Sequence, residues 1–280
     1  MKIKILALIL VLVLASYPIY NFYTLQTTLN FPEEVELEGL GVLTEIGDFS
    51  FVQAEENIDA IADLKYEIYL EEQEKLAEKL AAEEAENARL TALNKVLDSI
   101  KNEDTTYRAV LKDVFVVGDS LMQGLNNYEI LNEDNMITQV SANLYHLEEN
   151  IDAIIEQEPT ILLLHYGLNH LSEEEVQCTR FINLYTSLLE PLIEALDDTQ
   201  IIVSSIFPVD LELNEEEKFE YIEYYNDAMQ EMCDELGIEF LRSDTDLFTQ
   251  DVYDSDGIHM KKTFYTEVWL DFLIEELEMY

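Results

Sequence analysis

Cysteine, proline, glycine and positive charge are all scarce in this chain. Cys178 and Cys233 are the only cysteines among 280 residues, and they lack the paired spacing of a metal-binding knuckle. With four scattered histidines, they make a structural zinc site a poor reading. No Asp-x-Asp-x-Asp-Gly loop is present, so the acidity is not a calcium-loop signature. Fifteen lysines and arginines stand against 60 aspartates and glutamates, a formal charge of −45. Such a surface repels nucleic acid and anionic headgroups, which excludes nucleic acid as a partner. Apolar residues are not scarce. They make up 48% of the chain, enough for a packed core and too many for wholesale disorder.

The N-terminus is defined by missing charge. Lys2 and Lys4 precede an apolar run, and no charged residue follows until Glu33. Lysines before an apolar stretch hold that end in the cytoplasm. Tyr17, Tyr20, Phe22 and Tyr23 fit an aromatic interfacial belt, and the run reaches the roughly 20 residues that span a bilayer. Residues 1–24 are therefore expected to be a single-pass membrane helix contacting the lipid bilayer, with the rest of the chain outside the cytoplasm. The alternative is a signal segment cleaved after 13–15, giving a secreted protein.

Residues 25–54 read as a linker. From 55 to 103 the chain is rich in Ala, Glu, Leu and Lys, with no Gly or Pro, and a long helical stalk is expected. Ile58, Ile61, Leu64 and Ile68 mark one face, but the repeat lapses into alanines. A solvated spacer and a self-associating coiled coil both stay open.

From 108 to 280 short apolar runs alternate with amphipathic stretches. Strands are expected at 114–117, 136–140, 161–166, 200–207 and 238–241. Helices are expected at 144–156, 173–196, 215–236 and 262–278. That alternation implies an α/β domain with a parallel five-stranded sheet covered on both faces. Ligands then bind beyond the carboxyl ends of the strands. Crossover helices run the same way, so Cys178 and Cys233 fall at opposite ends of the domain and are expected to stay unpaired.

Three loops at that sheet edge carry candidate chemistry. Gly118-Asp119-Ser120 follows the first strand, where a serine at a helix N-terminus gains from free N–H groups. Gly167-Leu168-Asn169 follows the third. Asp256 and His259 stand three residues apart after the last, a spacing that lets the carboxylate fix the imidazole tautomer. Alone, each is ordinary turn chemistry; together they supply a nucleophile, an oxyanion donor and an acid–base pair. The set resembles the SGNH/GDSL hydrolase family, over about residues 113–280.

The resemblance implies a flavodoxin-like three-layer α/β/α sandwich. It also implies an extracytoplasmic serine esterase that removes or transfers a small acyl group, plausibly acetyl, from a carbohydrate or another small acyl ester. No cofactor or metal is implied. Ser120 would be the nucleophile, His259 the general base and Asp256 its orienter, with Asp254 ranked behind Asp256. The oxyanion hole would use the Ser120 N–H, the Asn169 amide and an N–H after strand two. The family has glycine there, and Ala142 takes its place. Gly167 and His170 are candidate binding residues, and a solvated loop position for His170 stays open. His146 is read as a helix-surface residue and His165 as a strand residue. Two rivals remain: a lipase or thioesterase for longer acyl chains, and a catalytically inactive scaffold that binds glycan or protein.

Overall fold

A computed structural model of the chain describes residues 51–243 and 247–280, with side chains from residue 69 onward except Gln250. The segment expected to be an anchor, 1–24, lies outside these residues, as does nearly all of the linker. Among the described residues no helix is long and apolar enough to cross a membrane. The chain divides into two units, Met1–Asn87 and Ala88–Tyr280.

The described part of the first unit is all helix. It belongs to α1, Phe51–Lys101, whose Tyr69, Leu70, Leu76 and Leu80 are exposed. Good helix formers without Gly or Pro account for its length.

The second unit begins on the last turns of α1. Leu93 is buried there, Val96, Leu97 and Ile100 pack on the core, and Arg89 pairs with Glu275 at 3.0 Å. The short α2, Tyr107–Val110, leads into β1, Val114–Gly118. There follow α3 (Ser120–Asn127), β2 (Met136–Thr138), α4 (Leu144–Gln157), β3 (Ile161–His165), α5 (Glu175–Ala195), β4 (Gln200–Ser204), α6 (Ile222–Leu236) and β5 (Glu239–Leu241). The chain continues through α7 (Lys262–Phe264), a π-helical turn at Tyr265–Trp269, and α8 (Leu270–Glu276).

All five strands pair in parallel, in the order β2-β1-β3-β4-β5. Every residue of β1 and β3 is buried, as expected of central strands covered on both faces. Right-handed crossovers put α4, α5 and α6 on one face, since each follows a step in the same direction, and α3 on the other. Consistently, α5 packs against both α4 and α6. Both cysteines are free thiols, buried in α5 and α6.

Two strands stop short of their expected ends for local reasons. Beyond β2, the Ala142 N–H closes a turn onto the Gln139 carbonyl at 3.1 Å. Beyond β4, the buried Asn226 side chain takes over as partner, accepting from the Ile206 N–H at 2.7 Å and donating to its carbonyl at 3.1 Å. The expected helix at 215–236 starts as a 3-10 turn, Glu217–Tyr221.

Helix α3 is fastened from the C-terminal side. The buried Tyr265 hydroxyl donates to the Leu121 carbonyl at 2.7 Å. Gly124 makes room, since a Cβ there would lie 2.6 Å from that hydroxyl oxygen. Gly124→Ala is expected to push Tyr265 away and destabilise the domain by about 1–3 kcal/mol. Equilibrium denaturant unfolding of the variant beside the parent checks this.

Candidate active site

β1 ends on Gly118 because the chain must turn at once into α3. A Cβ at Gly118 would sit 2.8 Å from the His165 carbonyl, so only glycine fits. Asp119 caps α3, its Oδ1 accepting from the Leu121 N–H at 3.0 Å. Ser120 is the first helical residue and is half-buried. Its N–H belongs to the first turn, whose donors have no acceptor within the helix.

The base comes from a loop closed on itself. Tyr253 and Met260 form an antiparallel bridge, the Asp254 N–H donates to the His259 carbonyl at 2.7 Å, and Gly257 (φ +69°) makes the tight reversal. Asp256 Oδ1 accepts from the N–H groups of Ile258 and His259, both at 2.9 Å. Its Oδ2 lies 2.6 Å from His259 Nδ1. A carboxylate can only accept, so Nδ1 carries the proton and Nε2 keeps its lone pair. His259 Nε2 in turn lies 3.1 Å from Ser120 Oγ, across 139 residues of sequence.

Asp256, His259 and Ser120 thus stand in one hydrogen-bonded line. Burial pushes the Asp256 carboxyl up, but the bonds from the His259 ring and the two backbone N–H groups outweigh it and hold the group below the usual carboxylate range. Asp254 gives its backbone to the loop, leaving Asp256 as the imidazole's partner. The side chains of His259 and Asp256 are 46% and 48% exposed, so this group lies open at the surface. Among the described residues no cluster of His, Cys, Asp and Glu is placed to hold a metal ion.

The loops after β2 and β3 are joined by a clamp that no motif announces. Asn169 Nδ2 donates to the Ala142 carbonyl at 2.8 Å, and His170 Nε2 accepts from the Leu144 N–H at 2.9 Å. His170 is thus a tether between loops rather than a solvated loop residue, and burial lowers its basicity. An amide nitrogen carries two hydrogens, so Asn169 keeps one beyond this bond. Ala142 is buried next to Asn169, with its N–H on Gln139. Ser141 stands at φ +58°, a backbone region that favours glycine, inside the same turn. Gly167 (φ +139°) is buried against Ile206, where a Cβ would fall 2.4 Å from Cδ1. It shapes the turn that presents Asn169.

His146 corrects the sequence reading. It is buried in α4, with Nδ1 2.7 Å from the Tyr166 hydroxyl. His165 is buried in β3 against Phe207, and burial drives its basicity down to about 3. Asp119 went unnoticed as a titrating group. It is fully buried, its Oδ2 has no partner, and burial raises its carboxyl to about 7 despite the Leu121 N–H and the nearby His259.

No family model matches the chain, and no curated protein matches it. Among solved structures, it is similar to a GDSL-like lipase from Bacteroides thetaiotaomicron, with 16% identity, 64% of this chain and 94% of that one covered, and a TM-score of 0.48. A carbohydrate esterase family 3 protein from Talaromyces cellulolyticus is 16% identical, with coverages of 59% and 93% and a TM-score of 0.42. The acetyl xylan esterase AlAXEase is 12% identical, with coverages of 59% and 98% and a TM-score of 0.40. Likeness at that level carries no chemistry; the hydrogen-bonded set does.

Two outcomes are expected. His170→Ala removes the second half of the clamp and lowers stability by about 1 kcal/mol, with kcat falling more than KM rises; steady-state kinetics beside thermal melts read both. For Asp119 the folded pKa is raised, so its favourable contribution is complete below about pH 4, the unfolded value, and is lost as pH climbs through about 7. Asp119→Asn keeps the cap acceptor. Its melting temperature should gain on the parent as pH rises from 4 to 8, a trend that melts at several pH values follow.

Proposed function

We propose that this protein is a serine esterase of SGNH type, held at the membrane with its catalytic domain outside the cytoplasm, that removes or transfers a small acyl group, acetyl above all, on a carbohydrate. One observation carries the esterase reading: the unbroken hydrogen-bonded line from Asp256 through His259 to Ser120, at 2.6 and 3.1 Å.

In this reading His259 Nε2 takes the proton from Ser120 Oγ as the oxygen attacks the acyl carbonyl. Asp256 stabilises the imidazolium that forms. The Ser120 N–H and the free Asn169 hydrogen face the oxyanion, with the Ala142 N–H added if it leaves Gln139. His259 then returns the proton to the departing alcohol, freeing the sugar and leaving an acyl-serine. Water, or a second sugar hydroxyl, attacks that ester with His259 again as base. The flavodoxin-like layering supports the scheme by bringing all three loops to one edge.

The open centre supports a small acyl group on a bulky carrier over a long acyl chain. Two cavities, of about 730 Å³ and 410 Å³, lie away from it at the far end of α3, around Asn126 and Tyr128, and neither is lined by Ser120, Asp256 or His259. The uncharged segment before Glu33 supports the membrane placement, and the helix formers of α1 a stalk.

A fluorophosphonate probe is expected to label the parent protein at Ser120. Ser120→Ala and His259→Ala should abolish labelling and lower p-nitrophenyl acetate turnover at least about a thousandfold. A folded parent that resists the probe would end the esterase reading. Asn169→Ala should cut kcat by about a hundredfold.

A further inference from the structure

Outside α1, every large apolar side chain left exposed among the described residues stands at one edge of the domain. These are Val140, Tyr145, Val176, Leu211, Leu213 and Tyr224. Val140 and Tyr145 flank the turn after β2, and Tyr145 opens α4. Val176 opens α5, Leu211 and Leu213 lie between β4 and α6, and Tyr224 opens α6. In a parallel sheet all of these are carboxyl-edge positions, the edge that holds Ser120, Asn169 and His259. Scattered surface hydrophobics need no explanation, but these six share the sheet edge that carries Ser120, Asn169 and His259.

Contacts tie the set to the centre on both sides. A side chain at Gly257, between Asp256 and His259, would meet Leu213 Cβ at 2.8 Å, and the Asp210 N–H donates to the Gly257 carbonyl at 2.8 Å. Val140 lies in the turn whose Ala142 carbonyl receives Asn169. Tyr224 packs edge-on against Tyr225, whose hydroxyl reaches the His170 carbonyl at 3.3 Å.

Charge narrows the occupant. Along the chain no lysine or arginine stands within three residues of any of the six, while Glu148, the run Glu173–Glu174–Glu175, Asp210 and Glu212 stand beside them. The cation near Tyr224, Arg242, is paired with both Glu223 and Asp227, at 2.7 and 2.8 Å. An anionic polymer or anionic membrane is repelled there. Apolar patches set among carboxylates suit a ligand with CH-lined faces and many hydroxyls. The rings cover the faces, and the carboxylates accept from the hydroxyls.

We propose that these six residues form the rim that grips the carrier of the acyl group, and that the carrier is an uncharged sugar chain. This specifies the carbohydrate of the esterase reading and rests on it for the reaction, though the binding itself needs no catalysis.

The test uses the Ser120→Ala full-length protein in detergent, titrated calorimetrically with acetylated xylohexaose and with an acetylated oligogalacturonide. Saturable binding of the uncharged sugar alone, unchanged between low and high salt, is expected. Tyr145→Ala and Tyr224→Ala should each weaken it about tenfold. Leu90→Ala, on α1 and outside the rim, should leave it unchanged. Equal binding of the anionic oligomer, no binding of the neutral sugar, or indifference to both tyrosine changes in folded protein would overturn the proposal. Fluorophosphonate labelling of the Ser120 protein is read separately, so failure of the chemistry and failure of the rim are told apart.

Discussion

Asp256 divides its two oxygens between its own loop and its neighbour's ring, and the whole centre depends on that division. Oδ1 gathers the N–H groups of Ile258 and His259, which bends the loop into a fixed turn. Oδ2 holds the imidazole by Nδ1. With both ends fixed, Nε2 has one place to be, and α3 brings the Ser120 hydroxyl to it. The neighbouring parts act on the same constraint from outside. The segment between β4 and α6 braces Gly257 through Asp210, and Tyr265 fixes α3 at Leu121.

The clamp between the β2 and β3 loops plays the matching part on the oxyanion side. Two consecutive residues, Asn169 and His170, hold a carbonyl and an N–H two positions apart. A single side chain could let the loop pivot, whereas two fix its direction. The turn they hold has alanine at position 142 and a left-handed backbone angle one residue earlier, at Ser141. The Ala142 N–H serves the turn, so in the proposed reading the oxyanion would rest more on Ser120 and Asn169.

Much of this was legible in the residues alone. Continuous apolar runs such as Val114–Gly118 and Ile161–His165 announce central parallel strands, and the distance of each chemical motif from the strand before it fixes its edge. Gly118, Ser120, Asn169, Asp256 and His259 stood out because their chemistry depends on short spacings. What stayed hidden has no local spacing. His146 looked like a surface residue because its partner, Tyr166, lies twenty positions on in another element. The role of His170 rests on an N–H in a different loop. The shortened β4 reflects Asn226, one polar residue in an apolar helix face that no periodicity singles out. The exposed rim escaped notice for the opposite reason: each member is an isolated apolar residue, and only the shared edge gives the set meaning.

The separation of Ser120 from its base has a consequence during synthesis. At ribosomal speeds of about 5–20 residues per second, the 139 residues that follow Ser120 up to and including His259 take about seven to thirty seconds to appear. Throughout that interval the emerging polypeptide carries a serine with no partner to activate it. If the proposed esterase reading holds, an unfinished chain could neither hydrolyse esters on its way out nor be trapped by them, because the loop that carries His259 is made last.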